Sequence, residues 1–229
     1  MRATLYQFAT SPFCAKVRKI LDYKGVDYEV VEVDYVERKE LVAVSGHVVV
    51  PALRLEEVAG AEAPEVVVDS DRIAMRLEEL RPEPTILPPR WRGLHVALAR
   101  YVDTEVEDAL FRYAVPDEAA RFARQGADRL ALFRYIRERK YGAGFCERME
   151  REREANFARV REVLAPFEHA LEHGAFLLGR PGLADFALYG QLHLLALSGV
   201  SKIPHEFAAL REFYARIDRI SSALESDGA

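Results

Sequence analysis

The chain has 229 residues, 50% hydrophobic and 30% charged, with 13 Gly and 11 Pro, enough for one large domain or two smaller ones that each bury a core. This composition excludes collagen-like, low-complexity and wholly disordered classes. Lys plus Arg total 32 against 37 Asp plus Glu, and the net charge of −5 removes the general attraction for a phosphate backbone that nucleic-acid binding relies on.

The Arg-rich stretch from Arg121 to Arg161 is interleaved with Glu138, Glu147, Glu150, Glu152 and Glu154, so it reads as a solvated helix face and not as a basic groove. No run of eighteen apolar residues is present to span a membrane, and Met1–Leu5 lacks the long apolar core of a signal peptide. Cys14 and Cys146 are too few for a disulfide framework and have no zinc spacing. The expectation is a reduced, cytoplasmic protein with no nucleic-acid or membrane partner.

In chain order, Thr4–Phe8 and Tyr28–Val33 carry the alternation and β-formers of strands. Between them Phe13, Val17, Ile20, Leu21 and Lys24 share one face of a helix stopped by Gly25. Val36–Val44 reads as a short second helix. Val48–Leu55 and Val66–Val68 read as two strands separated by a Gly/Ala/Glu loop. Ile73, Leu77 and Leu80 then mark a closing helix. Pro82, Pro84, Pro88 and Pro89 break the chain into an extended connector. After Trp91 the apolar residues keep helical spacing: Leu94, Leu98, Tyr101 and Val102; Leu130, Phe133 and Ile136; Phe157, Val160, Leu164 and Phe167. Two more helices run from Leu183 to Leu197 and from Pro204 to about Ile220. The expected domains are therefore α/β over 1–81 and all-α over 91–229, joined by a proline-rich linker at 82–90, with no internal repeat.

The informative segment is Thr10-Ser11-Pro12-Phe13-Cys14, where the first strand turns into the first helix. Ser11 suits the N-cap and Pro12 the first helical position. A helix N-terminus offers free N–H groups and partial positive charge to a thiolate or another anion. By itself the segment does no more than start a helix.

The β-α-β-α-β-β-α order, the Ser11-Pro12-Phe13-Cys14 turn and the Val50-Pro51 step together resemble the thioredoxin fold in its glutaredoxin and glutathione-transferase branch. Gly46–Pro51 is similar to the glutaredoxin stretch that ends in a cis-proline. Val66–Ile73, with Asp69-Ser70, resembles the transferase motif of an acidic residue plus Ser before the third helix. The proline-rich linker and helical second domain resemble the cytosolic glutathione transferase superfamily, and Phe176–Asp185 looks like its internal capping-box motif. In that motif Gly182 replaces the usual Ser or Thr, so the reciprocal side-chain cap is expected to be missing.

The active-site turn also departs from the pattern, since glutaredoxins and cysteine-type transferases carry Cys where this chain has Ser11. Cys14 holds the resolving position of a Cys-x-x-Cys pair without its partner, one turn inside the helix, and is read as structural. Ser11 has no base beside it and is a poor nucleophile. The resemblance implies the serine-type mechanism, in which Ser11 and the helix dipole hold a bound glutathione thiolate.

The resemblance further implies that Val50, before cis-Pro51, presents its backbone to the cysteinyl part of glutathione, the co-substrate. Asp69 and Ser70 take the γ-glutamyl end, a role compatible with simple helix capping. His47, ahead of Lys39, is the expected cation for the glycyl carboxylate. It also implies a homodimer engaged in detoxification with a small electrophile as second substrate.

Other groups carry less. His169 and His173 have metal-ligand spacing with no third ligand recognised, so no metal is expected. Asp103, Glu105, Glu107 and Asp108 read as an exposed acidic helix face. Tyr101, Phe111 and Tyr113 belong either to the electrophile pocket or to the core. Two rival functions stand beside the transferase: a glutathione-dependent thiol oxidoreductase or isomerase using Cys14, similar to the membrane-associated prostaglandin E synthase branch, and a non-catalytic glutathione-binding or scaffold protein.

Overall fold

The computed structural model describes residues 2–56, 58, 63–197 and 203–220. A four-stranded mixed sheet, ordered β2-β1-β3-β4, is built from β1 (Arg2–Gln7), β2 (Asp27–Glu32), β3 (Ala52–Glu56) and β4 (Glu65–Val68). β1 runs parallel to β2, with Leu5 opposite Val30, and antiparallel to β3, with Leu5 opposite Leu53. The parallel pair requires a crossover, which α1 (Pro12–Tyr23) supplies. α3 (Ser70–Leu80) packs beside α1, and α2 (Lys39–Ser45) lies against β3 and β4.

Two boundaries move from their expected places. The second helix begins at Lys39, not Val36, because Asp34 Oδ1 accepts from the N–H groups of Val36 and Glu37 at 2.8 and 2.9 Å, and Arg38 is left-handed at φ 51°. β3 begins at Ala52 because Val48 and Val49 sit in the preceding loop, more than half exposed at 55% and 54%. The loop expected between β3 and β4 lies largely outside the described residues.

The second half is helical: α4 (Arg92–Tyr101), α5 (Glu107–Gln125), α6 (Ala127–Tyr141), α7 (Phe145–Arg151), α8 (Arg153–Glu172), α9 (Leu183–Leu197) and α10 (Ala208–Asp218). A π turn over Val102–Val106 carries α4 into α5. The architecture is a thioredoxin-like α/β part followed by an all-α part. Their cores merge: Leu5, Val17 and Ile20 belong to the same buried cluster as Leu164, Phe186 and Phe213.

Gly190 permits the close contact of α9 with α1, since a Cβ there would lie 2.4 Å from the Pro12 carbonyl oxygen. Lys16, fully buried on α1, reaches Asp71 at 2.5 Å and Asp103 at 2.6 Å, tying α1 to α3 and to the π turn. Lys24 is also buried and binds Glu78 at 2.6 Å and the Arg81 and Pro84 carbonyls at 2.6 and 3.1 Å, fixing the start of the connector. Asp103 therefore corrects the expectation of a uniformly exposed acidic face: its side chain is only 8% exposed and closes a buried ion pair.

Candidate active site

A cavity of about 800 Å³ opens between the two halves. One wall is the β1–α1 turn from Phe8 to Phe13, the segment after β2 and Val48–Val50; the other is formed by α5 and α6. Aromatic contacts run across it, with ring centroids 5.4 Å apart for Phe8 and Tyr35, 4.5 Å for Tyr35 and Phe122, and 4.9 Å for Phe122 and Phe133.

Ser11 lines this cavity at the N-cap of α1, with Pro12 at the first helical position. Its Oγ accepts from the Cys14 N–H at 3.4 Å, and the hydroxyl also lies within hydrogen-bonding reach of the Cys14 thiol. The turn is braced from behind. Glu32 accepts from the Ala9 N–H at 2.7 Å and from Gln7 Nε2 at 3.1 Å; Arg18 donates to Gln7 Oε1 at 2.5 Å and reaches His193 Nε2 at 3.1 Å. Cys14 is fully buried and does not line the cavity, and burial pushes its thiol up to about 11.

Val50-Pro51 is cis, and Val50 lines the cavity. The Val50 N–H and C=O take no backbone partner among the described residues. The Pro51 carbonyl accepts from the Asp69 N–H at 3.2 Å, bringing the start of α3 against this loop. Asp69 Oδ1 caps α3 by accepting from Asp71 and Arg72 N–H, both at 3.1 Å, at a strained φ of 88°. Ser70 is buried, and its hydroxyl makes no hydrogen bond among the described residues.

The two expected cations stand elsewhere. Lys39 is exposed and pairs with Glu37 at 2.8 Å, His47 is exposed, and neither lines the cavity. Arg38 does line it, with Nη1 donating to the Val48 carbonyl at 2.6 Å and the guanidinium 5.3 and 5.1 Å from the Phe8 and Tyr35 ring centroids. Sequence reasoning missed Arg38 because only its left-handed backbone turns it back toward the sheet.

The Arg-rich stretch is not simply a solvated face, because Arg121, Arg129, Arg137 and Lys140 line the cavity. Arg121 binds Glu118 at 2.6 Å and reaches Thr10 Oγ1 at 3.4 Å, while Arg129 pairs with Asp34. Glu107 also faces the cavity, and burial raises its pKa above the ordinary carboxylate range. Of the three candidate aromatics, Phe111 lines this cavity, Tyr113 lines a second one of about 600 Å³ with Phe157, and Tyr101 packs against Phe167.

At the end of α8, Glu172 joins His169 and His173, with one donor atom from each within 4.8 Å of the others, so the pair does have a third potential ligand. All three are exposed and apart from the cavity lining.

Family patterns agree with this arrangement. The glutathione S-transferase N-terminal domain matches residues 5–85 and the glutathione S-transferase C-terminal domain matches residues 150–216. The chain belongs to the glutathione S-transferase family. Among solved structures, a glutathione S-transferase of Ceriporiopsis subvermispora in complex with glutathione is 20% identical, with TM-score 0.78 over 95% of this chain and 97% of that one. A maleylacetoacetate isomerase of Anaeromyxobacter dehalogenans, holding dicarboxyethyl glutathione and citrate, is 24% identical with TM-score 0.61 over 100% and 94%. Prostaglandin E synthase 2 of Danio rerio is 54% identical over 41 residues, which span 18% of this chain and only 11% of that protein. Among the described residues no helix is long and apolar enough to cross a membrane.

Proposed function

We propose that the chain binds glutathione along the sheet side of the cavity and transfers its thiolate to a small electrophile held against α5 and α6. One observation carries this reading. The Ser11 hydroxyl lines the cavity at the N-terminus of α1, whereas Cys14 is buried away from it with its thiol pushed up to about 11. Ser11 donates to the glutathione sulfur, and the helix dipole adds positive potential, so the thiol ionises more readily than in water. The nucleophile is then the sulfur of the substrate.

The remaining contacts use groups that line the cavity or lie beside it. Val50 offers backbone N–H and C=O to the cysteinyl unit. The Ser70 hydroxyl and the first turn of α3 receive the γ-glutamyl carboxylate, and Asp69 Oδ2, free of the capping bonds, receives the ammonium. Arg38, in place of His47 or Lys39, receives the glycyl carboxylate. The division into a glutathione-binding part over 1–81, a linker over 82–90 and a helical part over 91–229 belongs to the same proposal. So do a homodimeric state and a cytoplasmic location.

Calorimetric titration with glutathione tests the reading. Wild-type protein is expected to bind, and Ser70→Ala to bind more weakly by about 1–3 kcal/mol, the cost of leaving a charged partner unsatisfied. Absence of binding to wild type would make the protein a scaffold on this fold. Unchanged affinity in Ser70→Ala would reduce Asp69 and Ser70 to a helix cap.

A further inference from the structure

We propose that the electrophile carries a carboxylate, which binds at Arg137 and Lys140 on α6 while its apolar body lies against Phe111 and Phe133. The proposal rests on the transfer reading above and names the substrate class for the far side of the same cavity.

The cavity cations differ in what occupies them. Arg121 is committed to Glu118 at 2.6 Å, Arg129 pairs with Asp34, and Arg38 holds the Val48 carbonyl at 2.6 Å beside the glutathione subsite. Arg137 has no ion pair or hydrogen bond among the described residues, and its Nε is buried without a partner. Its guanidinium is nevertheless held in place, 4.7 and 5.0 Å from the centroids of Phe111 and Phe133. Lys140, one helical turn further along α6, also lines the cavity; its Nζ lies 4.7 Å from the Tyr141 ring centroid, with no carboxylate within ion-pair distance among the described residues. The acidic group nearest in influence is Glu107, whose own charge is disfavoured by burial and which makes no ion pair with either cation.

A partly buried cation without a partner is costly, and a second charge four residues or fewer away adds repulsion. A carboxylate on the ligand relieves both, through bidentate bonds to a guanidinium whose plane is already set by two rings. A neutral isostere leaves the cations as they were. The site therefore discriminates by charge and not by shape alone. In the reaction the thiolate electron pair forms the C–S bond at the electrophilic carbon. The leaving group departs with its bonding pair, and the thiol proton passes to solvent.

The test compares 3,5-dinitrobenzoate with its neutral methyl ester in calorimetry, with and without S-methylglutathione. Wild-type protein is expected to prefer the acid by at least about tenfold. Arg137→Met should lower affinity for the acid to the level of the ester, Arg137→Lys should keep part of the preference, and Lys140→Met should reduce it. A purely structural role for Arg137 would weaken both ligands equally. Equal affinities in wild type, or full preference in folded Arg137→Met, overturn the proposal; the wild-type comparison decides it even if no variant folds. Turnover of 4-chloro-3,5-dinitrobenzoate, releasing chloride, is scored separately. Acid preference without turnover upholds the carboxylate site and removes the transfer reading, whereas turnover with equal affinities does the reverse.

Discussion

The imidazole of His95 fills the space that a side chain on residue 182 would need. A Cβ at Gly182 would lie 2.2 Å from His95 Cε1 and 2.5 Å from Nε2. From α4, His95 Nδ1 accepts from the Ala184 N–H at a long 3.4 Å, and Asp185 Oδ2 accepts from the Gly182 N–H at 3.0 Å. The cap that a Ser or Thr at 182 would give is thus partly replaced by a histidine from another helix. Burial lowers the pKa of that histidine, which favours the neutral ring.

Gly182→Ala should therefore destabilise the protein by about 1–3 kcal/mol, as overpacking does. Combining it with His95→Ala removes the clash, so the two changes should be non-additive by roughly 0.5–3 kcal/mol in denaturant unfolding. Additive losses would contradict the contact.

Lys16 sets a second coupling. Lys16→Met leaves the Asp103 carboxylate, 8% exposed, without its cation, and Gln191 at 3.2 Å is a weak substitute. The expected loss is about 3 kcal/mol or more. Lys16→Met with Asp103→Leu should recover most of it, because the buried charge is gone. If the double variant is no more stable than Lys16→Met alone, the ion pair is not what the lysine contributes.

His193 gives a pH dependence. Burial, with a smaller contribution from Arg18, lowers its pKa from 6.5 to about 4. Between those values the unfolded chain binds a proton that the folded chain does not, so stability falls as pH drops through that window. In His193→Gln this contribution, on the order of 3 kcal/mol at most, should vanish from urea unfolding measured across the window. Asp185, whose pKa burial raises to about 7, imposes the opposite slope in both proteins, so the difference isolates His193. Parallel curves for the two proteins would show that His193 titrates as in water.

The periodic parts of the fold were legible in the chain. Alternation marks β1 and β2, helical spacing marks α4, α6 and α8, and Ser11-Pro12 marks the start of α1. α5 was not, because Pro116 interrupts it and buried Asp117 and Glu118 break its apolar face. Nor were the cavity cations, since interleaved Glu residues disguise which Arg side chains face inward. Arg38 depends on a left-handed backbone, His95 and Gly182 on a contact between distant parts of the chain, and Gly190 on the approach of Pro12; local patterns encode none of these. Cys14 was legible as a buried thiol because its place one turn inside α1 already put it behind the turn.

The pH midpoint of glutathione conjugation to 1-chloro-2,4-dinitrobenzene distinguishes Ser11 from Cys14 most directly. Ser11→Ala removes the donor to the thiolate, so the midpoint should rise and the rate at neutral pH should fall by up to about 3 kcal/mol in barrier, roughly a hundredfold. Cys14→Ala should keep the wild-type midpoint, at most with a packing cost in stability. Loss of activity in folded Cys14→Ala, with Ser11→Ala retaining the wild-type midpoint, would contradict the serine-type mechanism and place the chemistry on the buried thiol.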